Sequence, residues 1–163
     1  MTIQRFFLSC FLLLSLISFA YAQTANTQTR PHIAFVQTAS TGQLVAVSGQ
    51  SNEYTLTLYH VSPYITYYFH RPNRATGLAL VKNFINTWTF GPDNFAQDNP
   101  NAVIYAGQIN GQPNQANVSY VVQIANPAFS LMTDQMTYKV VPLGKNGFIL
   151  NQIDLADIVV VIN

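Results

Sequence analysis

The sequence predicts a mainly β fold of the α+β class: an antiparallel β-sandwich, or a strongly bent sheet, with about eight strands and one amphipathic helix. Three observations predict it. Short runs rich in β-branched and aromatic residues recur along the chain. Clusters of Gly, Pro, Asn and Ser separate these runs as turns. One segment alone has the three-and-four spacing of a helix, which would cross one side or end of the sheet.

The chain opens with the features of a secretory signal peptide. Arg5 precedes an apolar run from Phe6 to Ala20, and a small-x-small triplet ends at Ala22. This pattern predicts a signal peptide over residues 1–22, cleaved after Ala22. A membrane-spanning helix is the alternative, but the run is shorter than the ~20 apolar residues that a span needs. We therefore expect export to the periplasm or the exterior, with no transmembrane segment after cleavage.

The mature chain is predicted to hold one domain. Residues 23–31 are small and polar and predict a flexible leader, so a single β-rich domain would occupy residues 32–163. Cys10, the only cysteine, lies inside the signal peptide. A cysteine-free mature protein has no disulfide, and its stability must come from an ordinary core.

Charge is scarce, at 8% of residues against about 25% in typical soluble domains. Removing Arg5 from the seven basic residues leaves six, which balance the six acidic ones. Such a surface lacks the field that attracts phosphate backbones, so we expect no nucleic-acid partner. The fifteen Asn and thirteen Gln supply polar groups instead. Amides that donate and accept hydrogen bonds suit a sugar-binding surface, although compositional drift is the simpler explanation.

Four β-rich runs fill the first half. "HIAFVQTA" and "QLVAVS" flank "STG", and a hairpin is the simplest connection between them. In "EYTLTLYH" strict alternation places Tyr54, Leu56 and Leu58 on one face, which we expect to be the core face. "YITYYFH" alternates again until Pro72, which lacks an amide donor and ends the strand.

The single helix is predicted near residues 77–90. Its apolar stripe consists of Leu78, Val81, Phe84, Ile85 and Trp88. Thr76 would be the N-cap, and Gly91-Pro92 would end the helix. Because Trp88 lies on this stripe, we interpret it as a core anchor and not as a ligand-stacking residue.

Four further strands are predicted in the second half, over "NAVIYAG", "VSYVVQIA", "MTYKVVPL" and "DIVVVIN". Segments such as "NGQPNQAN" and "GKNG" lie between them and carry strong turn signals. The last strand is almost entirely apolar, so we expect it to be buried on both faces.

The stretch "YYFHRPNRATG" contains the main candidate site. His70, Arg71 and Arg74 fall where a strand ends and the predicted helix begins. Arginine forks beside a helix N-terminus bind anions well, which points to a phosphate, sulfate or carboxylate group on a ligand. A structural role is the alternative, in which Arg71 or Arg74 pairs with Asp93 or Asp98 and clamps the strand to the following loop.

The segment "GPDNFAQDNPNA" is a candidate cation site. Asp93, Asn94, Asp98 and Asn99 could supply oxygen ligands to calcium. The spacing is not that of an EF-hand, however, and Asp and Asn beside Pro and Gly are ordinary turn formers. Turn chemistry is therefore favoured, and we predict no metal and no cofactor.

Signatures of catalysis are mostly missing from the sequence. It contains no G-x-S-x-G elbow and no H-E-x-x-H helix. His32, His60 and His70 have no partner identifiable by spacing, either for a triad or for zinc. Asp93 and Asp98 could form a carboxylate pair for sugar hydrolysis, but a lone acidic pair in a turn is weak evidence. We therefore assign no catalytic residue.

Four segments resemble, in their order, a family of small exported proteins of Gram-negative bacteria: "YYFHRPNRATG", "FINTW", "GPDNFAQDNPNAVIY" and "MTYKVVPL". The family pattern is an RPxR element, F-x-x-x-W, G-x-D-x-F with PNA, and a T-Y-x-V strand, and it covers roughly Tyr67 to Leu143. Many relatives carry Asp in place of His70, which weakens a ligand role for this histidine. The resemblance implies an exported β-rich domain, admits a secreted effector role and supplies no activity.

The leading functional prediction is a secreted, non-enzymatic binding module or effector. It would recognise an anionic lipid headgroup or a glycan through His70, Arg71, Arg74, Asp93 and Asp98. Two alternatives stay open: a hydrolase of an extracellular polymer that uses His70 and an Asp as acid and base, and an envelope structural or assembly protein. Exposed arginines would favour binding, whereas a deep cleft joining His70 to an Asp would favour chemistry.

Overall fold

In the computed structural model, the described residues form nine strands and one helix. The described residues are 33–70, 74–90, 94–115, 118–144 and 151–163. The strands are β1 (Ile33–Ala46), β2 (Tyr54–Tyr59), β3 (Tyr64–Phe69), β4 (Thr76–Leu80), β5 (Asn101–Ile109), β6 (Gln112–Pro113), β7 (Ser119–Ser130), β8 (Gln135–Pro142) and β9 (Gln152–Ile162). The helix, α1, spans Val81–Thr89. The predicted signal peptide and leader lie outside the described residues.

The antiparallel sheet closes on itself as a six-stranded barrel. Its order is β2-β8-β7-β5-β9-β1, and β1 pairs with β2 to complete the ring. The predicted antiparallel β architecture is confirmed, but the predicted sandwich is wrong. A sandwich consists of two separate packed sheets, whereas here every wall strand pairs on both sides with its neighbours. The alternative of a strongly bent sheet describes the curvature of the wall but not its closure. The β3–β4 hairpin extends the sheet beyond β1.

β1 is one strand of fourteen residues where a hairpin was predicted. One edge pairs with β9, while the other pairs with β3 through Ile33–Val36 and with β2 through Thr41–Ala46. Gly42 explains why "STG" continues the strand. A Cβ there would lie 2.7 Å from the carbonyl oxygen of Thr57 and 2.8 Å from Cδ1 of Ile158. The glycine thus permits close packing in the wall, and it makes no turn.

Alternate side chains of the wall strands fill the interior. The predicted core face of β2 is confirmed, since Tyr54, Leu56 and Leu58 are all buried. This alternation is what a barrel wall requires, with one face toward the core and the other toward solvent.

β9 follows the same alternation, so the prediction that this strand is buried on both faces is wrong. Ile158, Val160 and Ile162 are buried, whereas Val159 and Val161 remain partly exposed.

α1 begins at Val81, later than predicted, because residues 76–80 form β4. These residues pair with β3, and this pairing leaves Leu78 68% exposed instead of on the helical stripe. The predicted N-cap is wrong as well: Leu80 precedes the helix, and Thr76 donates its hydroxyl hydrogen to the carbonyl oxygen of Tyr67. The predicted helix stop, Gly91-Pro92, lies outside the described residues.

The buried side of α1 packs against aromatic residues of the barrel. The Phe84 ring lies 4.8 Å from that of Phe35, and Trp88 lies 5.1 Å from Phe95 and 6.3 Å from Tyr138 between ring centroids. Trp88 is buried, which confirms its prediction as a core anchor. In the described part of the chain, no helix is long and apolar enough to cross a membrane.

Candidate functional site

The five predicted site residues divide between the described and undescribed parts of the chain. Arg71 and Asp93 lie outside the described residues. His70, Arg74 and Asp98 are described, and all three are exposed to solvent. His70 directly follows β3, Arg74 precedes β4, and Asp98 lies three residues before β5.

Strand pairing brings the two candidate segments to one edge of the barrel wall. Phe69 at the end of β3 pairs with Ile33 at the start of β1. Ile162 near the end of β9 pairs with Phe35 on one side and Ala102 on the other. The end of β3 and the start of β5 therefore lie at the same edge of the wall, with β1 and β9 between them, although they are distant in sequence.

A groove of about 300 Å³ opens at this edge, on the outer face of the wall. Tyr68 and His70 supply aromatic rings to its lining, and Asn101 and Asn163 supply side-chain amides. The apolar part of the lining consists of Ala102 and three valines: Val103, Val121 and Val161. We call this feature the His70 groove.

The rings of Tyr68 and His70 lie on the same face of the sheet, because residues two apart along a strand point to the same side. Tyr68 and His70 meet edge to face, with ring centroids 5.2 Å apart and an interplanar angle of 62°. Tyr68 pairs across the sheet with Ala34, which is fully buried. The Tyr68 side chain therefore packs on the outer face of the barrel wall. Its ring offers apolar surface to a ligand, and its hydroxyl offers a polar group.

The two amides come from strand ends that are joined by the backbone. The amide of Asn163 donates a 2.9 Å hydrogen bond to the carbonyl oxygen of Asn101. Both side chains are exposed, and neither makes a side-chain hydrogen bond within the described ranges. Each amide can therefore donate to and accept from a ligand in the groove.

Arg74 lies on the hairpin beside the groove. Its backbone adopts a left-handed conformation with φ of 42°, and its amide donates to the carbonyl oxygen of His70 at 3.3 Å. No ion pair joins Arg74 to Asp98, so the predicted clamp does not form between these two described members. The pairs that involve Arg71 or Asp93 remain predictions.

The segment before β5 shows the predicted turn chemistry. Oδ1 and the carbonyl oxygen of Asn94 both accept from the amide of Gln97, at 3.1 and 3.2 Å. Within the described ranges, no group of three or more His, Cys, Asp or Glu side chains is placed to hold a metal ion.

His60 lies in a different groove, polar and of about 580 Å³, which it lines together with Asp134 and Asp157. All three adopt left-handed backbone conformations, with φ of 55°, 47° and 53°. Oδ2 of Asp157 accepts a 3.4 Å hydrogen bond from the side-chain Nε2 of Gln108. The hydrolase alternative paired His70 with an Asp, so this groove is not the site that it described.

The sequence-based predictions missed Tyr68, Asn101 and Asn163. Strand alternation could have identified Tyr68, because it lies two residues before His70 on a predicted strand. Asn101 and Asn163 could not be found this way, since their meeting depends on the pairing of β5 with β9.

A scan against protein-family models, a search of curated proteins and a search of solved structures each find no match to this chain.

Proposed function

We propose that this chain is an exported, non-enzymatic binding module that takes an anionic glycan in the His70 groove. One observation carries the proposal: two aromatic rings and two unengaged amides converge on a single open groove. The export part of the proposal rests on the signal-peptide pattern of residues 1–22.

The lining supports a sugar as the ligand. A sugar ring presents apolar C–H faces and hydroxyls together, and the groove offers the complementary groups. Tyr68 and the three valines supply apolar contact, while the amides of Asn101 and Asn163 can donate to and accept from hydroxyls. At about 300 Å³ the groove lies at the lower end of small-molecule sites, which suits a short stretch of a glycan.

The positive charge of Arg74 is the reason to expect a negatively charged substituent on that sugar. Arg74 does not belong to the described lining, but it is exposed, its backbone contacts His70, and it has no described acid partner. A guanidinium fork matches the geometry of carboxylate and sulfate groups, and such charge-assisted hydrogen bonds are about twice as strong as neutral ones. Asp98 is exposed in the segment before β5 and is not part of the described lining of the groove.

Binding is preferred to hydrolysis because of the groove's chemistry. Glycoside hydrolysis uses two carboxyl groups on either side of the scissile bond. The described lining of the His70 groove contains no Asp or Glu side chain, so His70 has no side-chain carboxyl group there with which to share general acid and base roles.

The proposal is tested by titrating the purified mature protein with matched sulfated and desulfated oligosaccharides in a calorimeter. We expect the sulfated form to bind more tightly. Arg74→Gln should weaken binding of the sulfated form about tenfold and leave the desulfated form unchanged, since a hydrogen bond to a charged group is worth about 1.5–3 kcal/mol. Tyr68→Leu should weaken binding of both forms.

Matched controls separate the site from general charge effects. Lys139→Gln also removes one positive charge, from a lysine that pairs with Glu53 outside the groove, and Tyr105→Leu removes an outer-face tyrosine that does not line the groove. Neither should change binding. Equal losses in Arg74→Gln and Lys139→Gln would contradict the proposal. Binding to phosphatidylglycerol vesicles but to no sulfated sugar would assign the anion to a lipid headgroup and reject the glycan.

Export is tested separately by locating the protein in producing cells. Mass spectrometry of the periplasmic and supernatant fractions should find a chain that begins at Gln23. Full-length chain retained in the cytoplasm would reject export and leave the binding test unaffected.

A further inference from the structure

A second groove lies between α1 and the hairpin that joins β7 to β8. Its volume is about 590 Å³, and it shares no lining residue with the His70 groove. Four apolar side chains dominate the lining: Leu80, Ile85, Phe129 and Leu131. We call this feature the Lys82 groove, after the one charged residue in its described lining.

The apolar lining of this groove is unusually open to water. Leu131 is 70% exposed and Leu80 is 45% exposed, while Ile85 and Phe129 lie half-buried. Leaving such side chains in solvent forgoes the free energy of burial, and contiguous exposed apolar surface commonly marks an interaction site. The surface is also concave, and its volume falls within the range of small-molecule sites, about 300–1,000 Å³.

The polar groups of the lining lie together on one helix. Lys82 and Asn86 are four residues apart on α1, so their side chains are neighbours on its surface. Lys82 is exposed and forms no ion pair with any acid in the described part of the chain. The first turn of α1 contains no acidic residue, so the positive charge of Lys82 is not offset there.

We propose that the Lys82 groove binds a long-chain carboxylate. The hydrocarbon chain would lie against Leu80, Phe129 and Leu131. The carboxylate would accept hydrogen bonds from Nζ of Lys82 and from the side-chain amide of Asn86. An ammonium at the rim of an otherwise apolar groove is complementary to a ligand with a single anionic end, because the lysine stem packs on apolar surface while its charged tip stays in water.

The apolar lining and the single charge of the described groove favour a fatty acid over a glycan as the ligand. A glycan would leave its hydroxyls unpaired against an apolar lining, which costs free energy for each group. A long-chain carboxylate places only its two oxygens at the polar end and its methylenes elsewhere. The lining therefore favours a ligand of the fatty-acid class over a second sugar.

Calorimetric titration of the mature protein tests the proposal, with octanoate, decanoate, dodecanoate and tetradecanoate below their micelle concentrations. Affinity should rise roughly fourfold for each methylene until the chain fills the groove. Dodecanoate should bind about tenfold more tightly than dodecanol, because only the carboxylate engages the Lys82 ammonium.

Single-residue variants test which side chains contact the carboxylate end and the hydrocarbon end of the ligand. Lys82→Met keeps a stem of similar length without the charge, and it should abolish the preference of the protein for dodecanoate over dodecanol. Leu131→Ser changes a mostly exposed residue and should weaken binding at every chain length. Lys139→Met is the matched control for loss of a lysine charge and should behave as the unmodified protein does. Tyr68→Leu should also leave dodecanoate binding unchanged, since Tyr68 lies in the other groove.

Several results would overturn the proposal. Equal affinity for dodecanoate and dodecanol, or unchanged binding in Lys82→Met, would remove the role of the charge. A concentration-dependent dimer in sedimentation that Leu131→Ser abolishes would show that a second copy covers this surface. Binding to neutral and anionic vesicles alike, without binding of dissolved dodecanoate, would assign the surface to membrane contact instead.

Discussion

The hydroxyl of Tyr138 donates a 2.7 Å hydrogen bond to Oε1 of Gln37 inside the barrel. Each residue is 1% exposed, and Gln37 is the only buried polar or charged residue in the described ranges. The two residues lie on β8 and β1, which are separated by β2, so the bond connects strands that are not paired with each other. Nε2 of Gln37 is buried and has no partner among the described residues.

The bond between Gln37 and Tyr138 should contribute measurably to stability. Tyr138→Phe keeps the ring but leaves the Oε1 of Gln37 unsatisfied, and the free energy of unfolding should fall by about 1–3 kcal/mol. Adding Gln37→Met to this variant removes the stranded polar group and should recover part of the loss. Urea unfolding of both single variants and the double variant measures the coupling. Tyr64→Phe, at an exposed tyrosine, is the control, and a coupling of zero would show that the bond contributes nothing.

Stability should also fall at alkaline pH because of the same tyrosine. Burial raises the pKa of Tyr138 above the ordinary value of 10.0. The unfolded chain therefore releases its phenol proton above about pH 10 while the folded chain retains it, and linkage requires the free energy of unfolding to decrease there. Below that pH both states keep the proton, and this contribution is fully present.

The expected alkaline loss from Tyr138 is up to about 1.4 kcal/mol per pH unit above pH 10. Urea unfolding at successive alkaline pH values measures it. Partial burial also raises the pKa of Tyr120, which adds a smaller decrease of the same sign. Tyr138→Phe should show a shallower pH dependence, since the titrating hydroxyl is gone. Equal slopes in the two proteins would contradict this assignment.

Local sequence patterns predicted individual strands, but they did not identify the strands with which these pair. The alternation at Tyr54, Leu56 and Leu58 gave the right core face, because burial on one side of a strand imposes a period of two wherever the strand pairs. No local sequence pattern indicated that the sheet closes into a barrel. Closure depends on β1 pairing with both β9 and β2, and the partners of β1 in β9 lie more than a hundred residues along the chain.

Residues 76–80 illustrate how pairing overrides a local period. Leu78 fits the helical stripe that continues through Val81 and Phe84, yet it belongs to β4 because Thr66 on β3 pairs with it. Gly77 assists this pairing, since a Cβ there would lie 2.6 Å from the Tyr67 hydroxyl. A helix propensity summed over so few residues is a weak preference that a paired neighbouring strand outweighs.

The candidate site was predictable to a similar degree. Of the three described residues that were predicted for the site, His70 lines the groove, whereas Arg74 and Asp98 do not. Asn163 was not identified, because the C-terminal end of β9 reaches this groove only through long-range pairing with β5. The Lys82 groove was also missed, since the sequence pattern assigned Leu80 to a helix and not to an open lining.

The helix should be held to the barrel mainly by Trp88. Trp88→Ala should lower the free energy of unfolding by about 3–5 kcal/mol, the range for removing a buried large aromatic side chain. Leu78→Ala is the matched control and should change stability by no more than about 0.5 kcal/mol, because Leu78 is exposed on β4. Chemical denaturation of both variants checks this. Comparable losses would instead place Leu78 on a buried helical stripe, and Trp88→Phe supplies a milder variant if the alanine protein does not fold.

At Gly42 a strand continues through a sequence that resembles a turn. A methyl group at this position would meet the carbonyl oxygen of Thr57 at 2.7 Å, and backbone atoms paired in the wall cannot move aside freely. Gly42→Ala should therefore lower the free energy of unfolding by about 1–3 kcal/mol, as overpacking does in well-packed interiors. Gly144→Ala is the control, since a Cβ there would meet nothing within 4 Å. Thermal and urea unfolding compare the two variants. If both proteins were as stable as the original, the close approach of β1 to β2 and β9 at Gly42 would not be a feature of the folded barrel.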